Sequence, residues 1–329
     1  MTWHALEALE PAASATRQLL VPIRIRSWVV LGIVVFFISG LTGFNPSTSI
    51  NLGDGAPTPM LSVPAVDIGV IGVIAILAIA VVGLGIALLF AYLGALLEFV
   101  FVDIVRTMDI RIRAFAGNRL RAGLSLLLFR IAIGVIVVGM VVGTILLTVL
   151  TAGIFLIFLI LAFPVLFIIA AVLWLVGRFT IDFVVPIMIA EEVGILRGWE
   201  RLLEELRTEW KQFAVYAIVR IVIGFVAAIV VWMGFAIVAI ALAIPTGVVA
   251  IPVVFVLLTT VGEAAAIAIG VAVLLLFGLA VLVVGTVAVQ VPVQTYVRYY
   301  ALFVLASTCP TYDLLEDVRD SISAPPPSE

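Results

Sequence analysis

Five ionisable residues near the ends of long apolar runs have the types and spacing that could do chemistry. They are the arginines Arg130 and Arg220 and the carboxylates Glu98, Asp103 and Asp182. The donor fork of arginine matches phosphate and carboxylate oxygens, so this set could hold an anionic lipid headgroup or an anionic solute. The alternative interpretation is structural. In it the arginines extend to a membrane boundary and pair with the acids as anchors.

Catalysis is a third interpretation, and it would need at least two carboxylates in one cleft, drawn from Glu98, Asp103, Asp182, Glu191 and Glu192. The chain has one histidine, His4, and one cysteine, Cys309, which excludes most metal sites and any disulfide framework. No phosphate-binding glycine loop, HExxH motif or GxSxG motif is present. We therefore predict no enzyme activity, no cofactor and no metal.

The elements that must position these residues are apolar helices. Of the 329 residues, 65% are hydrophobic and only 11% are charged, less than half of the ~25% usual in globular domains. Unbroken apolar runs of 18 residues or more recur, and that length crosses a ~30 Å hydrocarbon core as a helix. The runs lack the alternating polarity of barrel strands. The sequence therefore predicts an all-α, polytopic transmembrane helix bundle.

About six spans are predicted within a single membrane domain at 27–305, between an N-terminal arm (1–26) and an acidic, proline-rich tail (306–329). The predicted spans are about 27–44, 68–97, 124–150, 154–178, 213–243 and 264–291. All seventeen Lys and Arg residues then lie on or near one side of the membrane. The positive-inside rule places that side, and both chain ends, in the cytoplasm. We expect the protein to lie in the cytoplasmic membrane of the cell.

The segment 244–263 is ambiguous because it is apolar but contains Pro245 and Pro252. We predict that the fifth span stops at Pro245 and that a short interfacial or re-entrant segment follows. A seventh span is the alternative, and it would place Arg298 outside, against the charge rule.

Two stretches resemble each other and suggest an internal repeat. LLEFVFVDIV (96–105) leads to LFRIAIGVIV (128–137), and TIDFVVPIMI (180–189) leads to IVRIVIGFVA (218–227). The stretch VQVPVQTYVRYYALFVL (289–305) is a third, fainter copy. Each unit would contain an outgoing span, a surface element and a returning span.

Two surface elements are predicted as amphipathic cytoplasmic helices, at about 103–116 and 194–212. In the second, apolar residues recur every three or four positions, which is typical of one helix face, and charges cover the rest. Trp199 and Trp210 are its predicted interfacial anchors, since indole rings favour the headgroup region.

The N-terminal pattern ALEALEPAASATRQLLVPIRIRSWVVLGIVVFFISG resembles the start of a family of uncharacterised multi-pass proteins from haloarchaea. EFVFVDIVR, DFVVPIMIAEEVGILRGWERLLEELRTEWKQFAVYAIVR and YVRYYALFVL extend the resemblance over most of the chain. The second of these is also similar to the membrane domain attached to some glycerophosphodiester phosphodiesterases, with Asp182, Pro186, Trp210 and Phe213 at its motif positions. The catalytic barrel of those enzymes is absent, so the resemblance implies membrane placement and no reaction.

The function expected from the sequence is a non-enzymatic membrane domain that interacts with lipids or acts as a scaffold. The partners expected are membrane lipids and a protein on the cytoplasmic face, with no nucleic acid. The alternative is a small-solute transporter or permease with a cavity between the repeated helix hairpins.

Overall fold

The computed structural model describes residues 4–21, 23–42, 70–110, 112–151, 155–260 and 262–323. The regular elements of this part of the chain are helices, and they form an all-α bundle as predicted. The α-helices are α1 His4–Glu7, α2 Leu9–Leu20, α3 Ile25–Thr42, α4 Val70–Thr107, α5 Ile112–Leu150, α6 Phe155–Phe179, α7 Val185–Glu191, α8 Ile195–Thr208, α9 Trp210–Thr260, α10 Glu263–Gly285, α11 Val291–Thr308 and α12 Glu316–Ser323. The connection 45–67 between the first and second predicted spans, residues 152–154 and the end of the tail lie outside the described residues.

Five helical segments are long and apolar enough to cross a membrane, as expected of an integral membrane protein. They are Val73–Thr107, Arg119–Leu150, Phe163–Glu191, Trp210–Thr260 and Glu263–Thr308. The first predicted span, 27–44, corresponds to α3, whose apolar part Ile25–Ser39 is shorter.

The packed core lies at one end of the bundle. In α4 the residues from Val73 to Phe90 are exposed, whereas Ala95–Val105 are buried. The same change occurs along the span Glu263–Thr308, where most of α10 is exposed and Tyr299–Ala306 of α11 are buried. Exposed apolar helix surface of this extent requires hydrocarbon around it, so the lipid-facing and protein-packed portions of each helix are separate.

The N-terminal helices α1 and α2 and the C-terminal helix α12 pack at this end of the bundle. Ala5 of α1, the N-cap residue Ala8 and Ala12 and Ala15 of α2 are buried, and their small side chains permit close helix packing against α11. The Gln18 amide donates to the carbonyl of Ser321 at 3.4 Å, which joins α2 to α12. The two ends of the described chain therefore lie on the same side of the bundle.

Two predicted boundaries are wrong. The fifth span does not stop at Pro245, because α9 is one helix of 51 residues with both Pro245 and Pro252 inside it. A proline costs ~3 kcal/mol in a helix interior, but ending the helix in hydrocarbon would leave several backbone groups without partners. The surface element 103–116 is not one helix either. α4 ends at Thr107, Met108 has a left-handed φ of 52°, and α5 starts at Ile112.

A π-helical turn precedes a proline at two places in the bundle. Thr180–Val184 comes before Pro186 in α7, and Thr286–Gln290 comes before Pro292 in α11. A proline ring clashes with the carbonyl four residues earlier in an α-helix. The wider turn relieves this clash and lets each span continue, which explains the similar sequences around Pro186 and Pro292.

Candidate functional site

Four of the five candidate residues from the sequence meet in the core, together with Arg298. We call Glu98, Asp182, Arg130, Arg220 and Arg298 the arginine–carboxylate cluster. Glu98 comes from α4, Asp182 from the first π-helical turn, and the arginines from α5, α9 and α11. Five separate elements are thus connected by charged side chains.

Asp182 is buried and receives two hydrogen bonds from α9. Arg220 Nε donates to Asp182 Oδ2 at 3.1 Å, and the Tyr216 hydroxyl donates to the same oxygen at 2.9 Å. Arg220 is itself only 5% exposed. Tyr216 and Arg220 are four residues apart, so both lie on the face of α9 that meets the π-helical turn.

Glu98 is also buried and binds two arginines. Arg130 Nη2 donates to Glu98 Oε1 at 3.1 Å, and Arg298 Nη2 donates to Glu98 Oε2. The guanidinium carbon of Arg298 lies 5.7 Å from the centre of the Phe101 ring, a cation–π distance. The pairing of Arg130 and Arg220 with acids of neighbouring spans, as the structural interpretation requires, is therefore present.

The two ion pairs occupy equivalent places in the repeated sequence. Glu98 precedes Phe99 and pairs with Arg130, while Asp182 precedes Phe183 and pairs with Arg220. Each arginine begins the same Arg-Ile-x-Ile-Gly pattern. The structure thus gives the two repeated segments the same contact, which supports a common architecture for the units.

Arg298 is the cluster residue that we did not propose from the sequence. It lies in the third, fainter repeat, where no acid occupies the position of Glu98 or Asp182. Its carboxylate partner is 200 positions away, and its other acceptor is the main-chain oxygen of Ile181. The sequence did contain a signal for Arg298, which is an arginine in an otherwise apolar helix. Such a residue requires partners when it is buried.

Asp103 lies apart from the cluster and lines a polar cavity. We call this cavity, of about 640 Å³, the Asp103 cavity. Its lining residues are Asp103, Arg106, Arg119, Arg121, Ala122, Ser125, Met188, Glu192, Val193 and Gly194. The cavity thus lies between the ends of α4 and α7 and the start of α5 and α8.

Two arginines pair with Asp103, and a third, Arg121, lines the same cavity. Arg119 Nε donates to Asp103 Oδ2 at 3.2 Å. Arg106 Nε is 3.0 Å from Asp103 Oδ1, but the two buried atoms are not aligned for a hydrogen bond. Arg121 has no ion pair within the described part of the chain. The cavity therefore retains donors that its own carboxylates do not satisfy.

Gly194, the N-cap residue of α8, also lines this cavity, so the N-terminus of that helix lies at its edge. Gly194 caps this helix without a side-chain hydrogen bond, and the Gly198 amide makes the first intrahelical bond, to the Gly194 carbonyl. The preceding N–H groups have no acceptor inside the helix. Such a terminus carries partial positive charge, which adds to that of the arginines.

The two tryptophans of the predicted surface element differ in their surroundings. Trp199 packs toward the protein, with its ring 6.4 Å from that of Phe129, whereas Trp210 is 60% exposed. Lys211 places its ammonium 5.9 Å from the centre of the Trp210 ring. α8 itself buries Ile195, Gly198 and Leu202 and exposes most of its charged residues.

Among the described residues, no three His, Cys, Asp or Glu side chains are grouped so that they could hold a metal ion.

Comparison with known proteins gives one match. The profile of DUF7544, a family of unknown function, matches residues 3–315. The chain belongs to this family. No curated protein and no solved structure matches it. The sequence-based expectation of an uncharacterised family is therefore confirmed, and membership of DUF7544 leaves activity to be argued from the site.

Proposed function

We propose that this DUF7544 protein is a non-enzymatic integral membrane protein that binds anionic lipid headgroups at its basic end. The Asp103 cavity is the headgroup site in this proposal. The observation that carries it is the convergence of Arg106, Arg119, Arg121 and the N-terminus of α8 on one cavity. A phosphate oxygen matches each of these donors.

Charge counting supports an anionic ligand. The lining residues carry three positive charges on arginines and two negative charges on Asp103 and Glu192, a difference of one positive charge. Asp103 is shared by two arginines, and neither Arg121 nor Glu192 has an ion pair within the described residues. A phosphodiester, with one negative charge, would balance the cavity.

The arginine–carboxylate cluster favours a structural role for the residues that the sequence first suggested as lipid contacts. Arg220 and Arg298 are 5% exposed and bond protein oxygens, so these two offer little to a passing solute. This arrangement supports lipid binding over transport. Arg130 is 24% exposed and keeps free donors beside Glu98, so it remains a second candidate for headgroup contact.

In this proposal the protein lies in the cytoplasmic membrane, with both chain ends in the cytoplasm. The contact between α2 and α12 and the position of the basic residues at the same end support it. The exposed charges of α8 would then meet cytoplasmic partner proteins, with Trp210 at the headgroup level. We include in this proposal the resemblance of the chain to haloarchaeal multi-pass proteins and to the membrane domain attached to some glycerophosphodiester phosphodiesterases. Labelling of a tag in the loop 45–67 only after lysis would contradict the orientation.

The test is lipid binding by the purified protein in native mass spectrometry. Phosphatidylglycerol is titrated onto delipidated wild type, Arg121→Ala and the double variant Arg119→Ala/Arg121→Ala. We expect at least about tenfold weaker binding for the double variant, since each charge-assisted bond contributes ~1.5–3 kcal/mol. Arg207→Ala, an exposed arginine of α8 outside the cavity, is the matched control.

Inorganic phosphate separates a lipid site from a site for free anions. If the cavity holds lipid headgroups, millimolar phosphate competes weakly and phosphatidylglycerol remains bound. Equal binding curves for wild type and the double variant would overturn the proposal.

A further inference from the structure

A second cavity, of about 710 Å³, lies between α2, α9 and α11. We call it the α2–α9 groove. Its lining residues are Ala13, Thr16, Arg17, Leu20, Val21, Ile23, Trp28, Val222, Ile223, Val226, Ala227, Val230, Pro292, Val293, Tyr296 and Val297. Its size falls within the ~300–1,000 Å³ typical of small-molecule sites.

The long wall of the groove is apolar and lies in a membrane-spanning helix. Val222, Val226 and Val230 are spaced by four residues, so they form one stripe along α9. The stripe runs about 12 Å, at 1.5 Å per residue, from a point two residues beyond Arg220. The three valines are 47–56% exposed and so leave room for a further apolar group.

The opposite walls are held in place by identified contacts. Pro292 and Val293 of α11 directly follow the second π-helical turn, so the altered helix path sets their position. The Trp28 indole N–H donates to the Leu20 carbonyl at 3.2 Å, which fixes the corner between α2 and α3. The groove is therefore a built feature between three helices.

One end of the groove is positively charged. Arg17 lines it, is exposed and has no ion pair within the described part of the chain. Arg24, in the connection between α2 and α3, and Arg26, in the first turn of α3, are also exposed. No carboxylate is among the lining residues. An apolar slot inside a span with an unpaired arginine at its rim matches an amphiphile with an anionic head.

From these contacts we propose that the α2–α9 groove binds one phospholipid, with a hydrocarbon chain along the valine stripe and its phosphate at Arg17. This site is separate from the Asp103 cavity, since the two share no lining residue. A lipid here joins the N-terminal helix to the bundle, because its chain contacts α2, α9 and α11 together.

The decisive variant fills the groove. Ala227→Trp places an indole among the lining side chains, whereas Ala228→Trp, one residue on, faces the opposite side of α9 and is the matched control. In native mass spectrometry with phosphatidylglycerol, we expect wild type to bind two lipids tightly. In Ala227→Trp the affinity for one of the two lipids falls at least about tenfold, because the indole ring occupies the space of that lipid's hydrocarbon chain. Ala228→Trp keeps both.

A second variant tests the head and does not depend on packing. Arg17 is exposed, and Arg17→Glu reverses the charge at the rim of the groove. The ratio of the groove's affinities for phosphatidylglycerol and phosphatidylcholine should therefore fall at least about fivefold. Arg121→Ala, in the Asp103 cavity, leaves that preference unchanged, which separates failure of this proposal from failure of the other. Unchanged lipid stoichiometry in Ala227→Trp overturns the inference. If that variant does not fold, unchanged headgroup preference in Arg17→Glu overturns it.

Discussion

Arg298 Nη1 donates a hydrogen bond of 2.8 Å to the main-chain oxygen of Ile181. In the π-helical turn the Val185 amide bonds the Thr180 carbonyl, five residues earlier. The next donor in that register would be residue 186, which is a proline without an N–H. Arg298 therefore satisfies the carbonyl that Pro186 leaves without a partner, and its other nitrogen binds Glu98.

Replacing Arg298 should destabilise the fold strongly. Arg298→Met keeps much of the side-chain volume but leaves the Ile181 carbonyl unbonded and Glu98 with only Arg130. Loss of one partner of a buried ion pair typically costs ~3–5 kcal/mol. Thermal unfolding in detergent measures the change, with Arg207→Met as the control on an exposed site. An unchanged melting temperature for Arg298→Met would show that the cluster does not stabilise the bundle.

Tyr216→Phe should test the other half of the cluster with a smaller change. The variant removes the hydroxyl that donates to Asp182 at 2.9 Å and keeps the ring, which stacks on Tyr300 at 5.7 Å. We expect a loss of about 1–3 kcal/mol, because a buried carboxylate oxygen loses a donor. Tyr92→Phe is the control, since its hydroxyl makes an exposed 3.3 Å bond to Leu120 and its loss should cost less than about 0.5 kcal/mol. Equal losses would contradict the importance of the Asp182 contact.

The all-α membrane fold and the pairs Glu98–Arg130 and Asp182–Arg220 were accessible from sequence. Charges are rare in apolar runs and must find partners there, so their placement at the ends of neighbouring spans was informative. The repeat added a second indication, since both arginines precede the same Ile-x-Ile-Gly pattern. Both signals are local in the sequence.

The features that were not predicted depend on contacts between residues distant in sequence, or on backbone hydrogen bonds that offset the cost of a proline. Arg298 meets Glu98 only after the third unit folds back on the first. Pro245 looked like a helix end, but in hydrocarbon the remaining backbone bonds keep α9 intact. The Asp103 cavity was not foreseen either, because Arg119 and Arg121 join Asp103 only through the turn at Met108–Ile110.

Cys309 offers a pH-dependent measurement of how tightly the segment after α11 packs against α8. The thiol is 3% exposed, and burial, aided by the nearby Glu205 carboxylate, raises its pKa to about 12. A raised pKa keeps the thiol protonated at neutral pH, and only the thiolate reacts with maleimides. Labelling of the folded protein should therefore be slow at pH 7 and should accelerate about tenfold per pH unit toward pH 12 while the fold persists.

An exposed cysteine provides the comparison for this measurement. In a Cys309→Ser background, Thr311→Cys lies two residues away on the exposed side of the same turn, so it should react at the rate of a free thiol with an ordinary pKa near 8.5. Unfolding in detergent should raise the wild-type rate to that of Thr311→Cys, because both the burial and the Glu205 contact are lost. Equal rates for the two folded proteins at pH 7 would show that Cys309 is accessible and that the contact of the tail with α8 is open.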